Sequence, residues 1–184
     1  YVKRCIAGPG DTLFVEGKNV YVNQNEIKLN KTGKILAPVM PKNYKQPDIF
    51  LSSITNINKD YIGPIYIPKK GDTFPIHDET NWRFLLPIMM MEGHDAKLIN
   101  NDIIFYFTLQ DPNDLYRRKN NKNIYEQYYP NGNLINPWSK AIKDEHFQYL
   151  YIDGIPVSEW TEFTTLQNYY WAMGDNRDDS LDSR

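Results

Sequence analysis

The sequence predicts a mostly β protein, in which an antiparallel meander forms a barrel-like core and a large insertion adds some helix. Short apolar runs alternate with turn residues near the amino end, where Thr12-Leu-Phe-Val15 and Val20-Tyr-Val22 flank residues 16–19. Two further runs, at residues 102–109 and 169–173, are rich in aromatic and apolar residues that favour strands. Connections this short join antiparallel neighbours, because parallel strands need a crossover of roughly a dozen residues.

The strands group the chain into three predicted segments. Residues 1–29 and 149–184 make up the β core, and residues 30–148 make up a variable cap inserted between them. The cap is expected to contain strands near residues 65–74 and 102–109. The chain of 184 residues suits one domain with such an insertion.

Local signals predict a hairpin and one helix. Asp153-Gly154 is a turn pair typical of a tight hairpin between two short strands. Residues 78–93 are the best helix candidate, with Asp78 or Thr80 available to cap the start and Pro87 inside. The apolar residues at helical spacing in this stretch are Trp82, Leu85, Leu86 and Met89.

The other stretches of the cap are polar. Residues 30–61 carry scattered prolines and are interpreted as a looping excursion over the surface. Residues 110–146 are rich in Asn, Lys, Asp and Tyr, and we expect an insertion with short helices near Tyr125 and Trp138. The run Arg117-Arg118-Lys119 is interpreted as a solvated face, with attraction to anionic lipid headgroups as the functional alternative.

Composition limits the function classes. A net charge of −2 argues against a nucleic-acid binder, which would show a basic footprint. Cys5 has no second cysteine to pair with and is interpreted as a small packing residue. His77, His94 and His146 lack the spacing of metal ligands, so we predict no metal. The sequence also holds no apolar run of membrane-spanning length.

Charged motifs occupy both ends of the chain. Residues 174–184 read Gly-Asp-Asn-Arg-Asp-Asp-Ser-Leu-Asp-Ser-Arg, a mixed run of acids and bases that pairing can fix in place. At the other end, Lys3-Arg4 precedes a tight turn at Gly8-Pro9-Gly10-Asp11. These two bases face opposite sides of a strand, and a desolvated neutral lysine is a competent general base. The structural alternatives are a plain ion-pair loop and a surface lysine on an edge strand.

Together the two ends resemble the type I signal peptidases, also called leader peptidases. Lys3-Arg4 with residues 8–11 is similar to the family's lysine box, and residues 174–184 match its carboxy-proximal box nearly letter for letter. The resemblance implies a membrane-bound serine endopeptidase of the bacterial secretory pathway. Its partners would be the signal peptides of exported preproteins and, through the parent protein, the outer face of the cytoplasmic membrane.

The resemblance also implies a role for each matched residue within a serine–lysine dyad. Lys3 matches the general base, and Ser180 matches the serine that orients the lysine amine. Gly174 matches the glycine that lets the box approach the lysine closely. Tyr1 and Val2 match residues that line the pockets for the small side chains of the cleavage site. The charges expected to support the site are Arg4 paired with Asp175, Asp182 paired with Arg184, and Arg177.

One part of the family's pattern has no counterpart in the sequence. The family's nucleophile lies upstream of the lysine, in a Ser-x-Met-x-Pro type motif, and this sequence holds none. We therefore expect the chain to be a fragment of a longer peptidase, whose membrane anchor and nucleophile precede Tyr1. The chain by itself is predicted to be inactive.

Two other functions stay open. A self-cleaving repressor or mutagenesis protein shares the serine–lysine chemistry, but that class lacks the acidic and basic box. A non-catalytic β interaction module fits the absent nucleophile and the long polar insertions. The upstream sequence separates these cases, because an apolar anchor followed by a Ser-x-Met motif would favour the peptidase.

Overall fold

The computed structural model describes residues 2–31, 33–46, 58–100, 103–110, 132–139, 141–180 and 182–183. The chain divides into two units, one formed by residues 1–72 and 165–184 and the other by residues 73–164. The described strands pair antiparallel with one exception and helix is scarce, which confirms the predicted mostly β class. They lie in four separate sheets, and none of these closes on itself into the barrel-like core that we expected.

The strands are numbered in chain order. They are β1 (Arg4–Ala7), β2 (Thr12–Glu16), β3 (Asn19–Val22), β4 (Asn25–Ile27), β5 (Tyr61–Tyr66), β6 (Thr73–Pro75), β7 (Ala96–Asn100), β8 (Ile103–Phe107), β9 (Gly132–Ile135), β10 (Leu150–Ile152), β11 (Ile155–Pro156), β12 (Glu162–Thr164) and β13 (Trp171–Met173). One α-helix, α1 (Trp82–Met91), and two 3-10 helices, Asp144–Tyr149 and Val157–Glu159, complete the described regular structure.

The predicted meander is present in the first unit. Strands β2, β3 and β4 follow one another, and β5 pairs with the free edge of β2, so the order is β4-β3-β2-β5. Gly17-Lys18 turns with φ of 56° and 73°, and Asn23-Gln24 turns with φ of 50° and 68°. Two successive positive φ angles mark the turn type whose twist suits a two-residue hairpin. The second turn leads directly into β4, which begins at Asn25.

The first and last strands of the chain form a ladder of their own. β1 pairs antiparallel with β13, with Arg4 opposite Met173 and Ala7 opposite Trp171. The strands contribute to one apolar core, whose buried members are Ala7, Leu13, Val15, Val20, Val22, Ile62, Ile67, Trp171 and Met173.

Cys5 was predicted to be a packing residue, and this is wrong. The residue is exposed, because only the end of β1, at Ile6 and Ala7, reaches the core. The ladder with β13 is irregular between Cys5 and Ala7, and the Cys5 thiol lies 3.4 Å from the Ala7 carbonyl oxygen.

The unit boundaries differ from the three predicted segments, whose limits lay at residues 29 and 148. Residues 58–72 belong to the first unit because β5 pairs with β2 from Tyr61 to Tyr66. Residues 149–164 belong to the second unit because β10 pairs with β7, with Leu150 opposite Leu98.

The second unit contains a five-stranded sheet in the order β11-β10-β7-β8-β9. The predicted hairpin is confirmed, since β10 and β11 flank Asp153-Gly154, with φ of 52° and 81°. The exception to antiparallel pairing is β9, which lies parallel to β8. Trp138 lies in a turn rather than in the predicted short helix, while Tyr125 and the run 117–119 fall outside the described residues.

The predicted helix is present but shorter than residues 78–93. Its cap is Asn81, whose side chain accepts a hydrogen bond from the Phe84 amide at 3.3 Å. Thr80 is not the cap, because its hydroxyl instead accepts from the His77 amide at 2.8 Å. After the helix, Gly93 adopts a φ of 99°, a conformation that commonly ends a helix.

Arg83 is a buried charge in the second unit, with 7% of its surface exposed. Its guanidinium donates to the Asp144 carboxylate at 2.9 Å, to the Ser139 carbonyl at 3.2 Å and to the Ile142 carbonyl. It also lies 5.7 Å from the centre of the Phe147 ring. One side chain therefore holds the turn before the 3-10 helix Asp144–Tyr149 against α1.

Replacing Arg83 tests this role. We expect Arg83→Met to lower the free energy of unfolding by about 3 kcal/mol, because buried carbonyl groups lose their donors. Asp144→Asn is the matched control and should cost less than about 1 kcal/mol, since the Asp144 side chain is 82% exposed. Urea unfolding followed by circular dichroism measures both, and equal losses would contradict the role of the carbonyl contacts.

Candidate active site

Lys3 and Ser180 come together from the two ends of the chain. The Lys3 Nζ donates a hydrogen bond to the Ser180 Oγ over 2.5 Å, and both residues are half-buried. The ladder explains this meeting, because Arg4 lies opposite Met173, at the beginning of β1 and the end of β13. The two motifs therefore emerge side by side, and the predicted approach of Ser180 to Lys3 is confirmed as geometry.

Gly174 makes the close contact possible. A Cβ atom at this position would meet the Ser180 Oγ, and it would lie 2.7 Å from the Ser180 Cβ and 3.3 Å from the Lys3 Nζ. Only a residue without a side chain leaves room for the pair. The resemblance gave Gly174 this spacing role, and the structure shows the space that it keeps open.

Arg4 and Asp175 form the predicted pair beside this contact. The Arg4 Nε and Nη2 donate to the two carboxylate oxygens at 3.1 and 3.0 Å. The hydrogen bond and the charge of Asp175 raise the pKa of the Arg4 guanidinium. The side chains are 51% and 35% exposed, so the pair adds little stability, but its two parallel bonds orient the start of the box.

The end of the box folds back onto β13. The Gly174 amide donates to the Asp182 Oδ2 at 3.0 Å. The Ala172 amide donates to the Ser183 Oγ at 3.0 Å, and the Ser183 amide donates to the Ala172 carbonyl at 3.0 Å. Asp182 was expected to pair with Arg184, which lies outside the described residues. Its described partner is the backbone of the glycine that admits Ser180.

Sequence reasoning missed the second anchor of the box, at Asp178. Its carboxylate accepts from the Lys18 Nζ at 2.8 Å and from the amides of Leu36 and Ala37 at 2.5 and 3.0 Å. The Lys59 Nζ donates to the Asp178 carbonyl at 2.7 Å. The hydrogen bonds from Lys18, Ala37 and Leu36, in that order, hold the pKa of the Asp178 carboxyl far below its usual range.

Lys18 is the unexpected member of this anchor. Its side chain is only 6% exposed, although lysine in a hairpin turn is normally solvated. The sequence predicts the turn at Gly17-Lys18, but the partner of the side chain depends on a contact 160 positions away. No local signal could have identified it.

The box also contacts residue 34 through the backbone. The Lys34 amide donates to the Asp175 carbonyl at 2.9 Å, and the Arg177 amide donates to the Lys34 carbonyl at 3.0 Å. Arg177 itself is buried, with its Nη1 3.4 Å from the Met173 Sδ. Arg177 was expected to support the site, and the structure shows it as a buried side chain that contacts β13 through Met173.

The residues expected to line the substrate pockets are only partly described. Val2 is 95% exposed, next to Lys3, and Tyr1 lies outside the described residues. Within the described ranges, no cluster of His, Cys, Asp and Glu could hold a metal ion. No helix among these residues is long and apolar enough to cross a membrane. No family model, curated protein or solved structure matches the chain.

The arrangement positions an amine against a hydroxyl. The hydrogen bond to Ser180 orients the Lys3 Nζ, and a general base must be oriented towards the proton that it accepts. Ser180 can serve as the orienting hydroxyl or as an attacking one, and this geometry is compatible with both.

Gly174→Ala tests the packing of the contact. We expect a loss of about 1–3 kcal/mol in the free energy of unfolding, because the added Cβ overlaps Ser180. The loss should fall by more than half in a Ser180→Gly background, which removes both clashing atoms. Gly63→Ala is the control, since a Cβ there meets nothing within 4 Å. If Gly174→Ala costs as much in the Ser180→Gly background, residue 174 does not lie as close to Ser180 as described.

Asp178→Asn tests the second anchor through pH. Because the folded pKa of Asp178 is depressed, its stabilisation is present above the unfolded value of about 3.9 and is lost as pH falls further. We expect a loss of about 3 kcal/mol at pH 7, and a smaller difference from the unchanged chain at pH 2. Urea unfolding across this range measures it. The exposed neighbour Asp179→Asn should show neither effect, and a pH-independent loss would contradict the ion pair.

Proposed function

We propose that this chain is the lysine-bearing part of a bacterial type I signal peptidase, a serine endopeptidase that removes signal peptides from exported preproteins. The contact between the Lys3 Nζ and the Ser180 Oγ carries the proposal. It joins two motifs that lie 177 positions apart and that resemble the two conserved boxes of one family. Two unrelated charged motifs would have no reason to meet through these particular residues.

In the proposed mechanism, Lys3 acts as the general base and Ser180 orients it. The Lys3 amine takes the proton of a serine hydroxyl, whose oxygen forms a bond to the carbonyl carbon of the scissile peptide. The carbon–nitrogen bond then breaks, and the leaving amine takes the proton back from Lys3. The Lys3 amine then deprotonates a water molecule, which releases the acyl group from the serine. The family pattern puts the attacking serine upstream of the lysine.

The proposed substrate is a peptide. Val2, which matches a residue that lines the substrate pockets of the family, is almost fully exposed. The hydrogen bond from the Gly174 amide to Asp182 holds the end of the box on β13. The parent enzyme would act at the outer face of the cytoplasmic membrane, and the chemistry of a serine–lysine pair needs no cofactor.

Substitutions in the full-length parent test the assignment. Lys3→Ala should lower turnover of a signal-peptide substrate with alanines at the cleavage site by about 100-fold or more, because the base is lost. Ser180→Ala should lower turnover by about tenfold, the equivalent of one orienting hydrogen bond. Lys70→Ala is the matched control, since Lys70 is exposed and lies outside both boxes. Its turnover should match that of the unchanged parent.

The isolated chain gives the converse test. The purified 184 residues should not cleave the same substrate, because the expected nucleophile is not among them. Turnover by this chain that disappears with Ser180→Ala would make Ser180 the nucleophile and overturn the proposed roles. A folded parent with no activity towards signal peptides would favour a non-catalytic interaction module.

A further inference from the structure

The first unit contains a lysine-rich stretch. Residues 28–46 contain five lysines and no acidic residue, although the whole chain carries a net charge of −2. All five lysines are exposed: Lys28, Lys31, Lys34, Lys42 and Lys45. Lys42 lies 3.5 Å from the Glu16 carboxylate, which neutralises part of its charge. The remaining four give the stretch a local excess of positive charge.

The same stretch exposes large apolar side chains. Leu36 is 85% exposed, Tyr44 is 49% exposed and Val39 is 48% exposed. Single apolar residues on a surface are ordinary and need no explanation. Several of them in one stretch that carries five lysines and no acidic residue of its own make this stretch both apolar and cationic.

Hydrogen bonds from other parts of the first unit anchor the backbone of this stretch. The Asp178 carboxylate accepts from the amides of Leu36 and Ala37, and the Lys18 Nζ donates to the Ala37 carbonyl at 2.6 Å. Further along, the Asp60 carboxylate accepts from the Met40 amide at 2.8 Å.

The anchors continue to the end of the stretch. The Asn58 amide nitrogen donates to the carbonyls of Pro41 and Tyr44, each at 3.0 Å. Asn58 and Asp60 are buried, with 0% and 2% of their surface exposed. Buried polar side chains therefore bind the backbone of a loop whose apolar side chains remain exposed to water.

We propose that residues 28–31 and 33–46, which we name the lysine segment, dock onto the surface of an anionic lipid bilayer. Lysines near such a surface are attracted to its headgroups, while exposed leucine and tyrosine enter the boundary between headgroups and acyl chains. A nucleic acid would satisfy the lysines but would leave Leu36 and Val39 in water. This inference does not depend on peptidase activity, and it applies to the chain as it stands.

Cosedimentation of the 184-residue chain with lipid vesicles tests the docking. Binding should occur with equal parts phosphatidylcholine and phosphatidylglycerol, should be weak with phosphatidylcholine alone, and should fall as salt is added. Lys28→Gln, Lys31→Gln and Lys45→Gln together should lower the partition coefficient about 100-fold, at about fivefold for each lysine. Leu36→Ser should lower it about tenfold without changing the charge.

A second triple variant separates the lysine segment from net charge. Lys69→Gln, Lys70→Gln and Lys143→Gln remove the same charge from other exposed positions and should leave binding unchanged. Equal losses in the two triple variants would overturn the proposal, and so would an unaltered partition with Leu36→Ser. Binding to heparin without binding to anionic vesicles would assign the surface to a polyanion instead. Because all these residues are exposed, unfolding curves should not change.

Discussion

The ladder between β1 and β13 is the constraint on which the candidate site depends. It sets Lys3 and the box at the same end of two neighbouring strands, so that short-range contacts can bring Ser180 to Lys3. Gly174 then allows an approach that any other residue would block. The pair of Arg4 with Asp175 and the bond from Gly174 to Asp182 fix the direction in which the box leaves the strand.

A second set of contacts holds the middle of the box from the far side of the same unit. Asp178 joins a buried lysine from a hairpin turn to the backbone of the lysine segment. A buried ion pair of this kind adds little to the free energy of unfolding compared with two apolar side chains in its place. Loss of one partner lowers that free energy strongly, because the other charge stays buried. The candidate site and the proposed lipid-binding surface therefore share one carboxylate.

Much of the fold could be predicted from local patterns, and much of the site from its motifs. Turn residues indicated the hairpins at residues 16–19 and at Asp153-Gly154, and both turns contain residues with positive φ in the structure. The unit boundaries could not be predicted, since they depend on β5 pairing with β2 across a long polar stretch. The same holds for Lys18, whose partner is set by tertiary contact. Arg4 with Asp175 was predictable because the two motifs were interpreted together.

The join between the first and last strands also governs when the site can exist during synthesis. All four strands of the sheet β4-β3-β2-β5 lie before residue 67, so that sheet can fold while the rest of the chain is still being made. The contact of the Lys3 amine with Ser180 forms later, because it closes a loop of 177 positions. A chain that lacks residues 174–184 would contain the meander but would leave Lys3 without its partner Ser180. The orientation of Lys3 therefore depends on a segment that is synthesised 177 positions later.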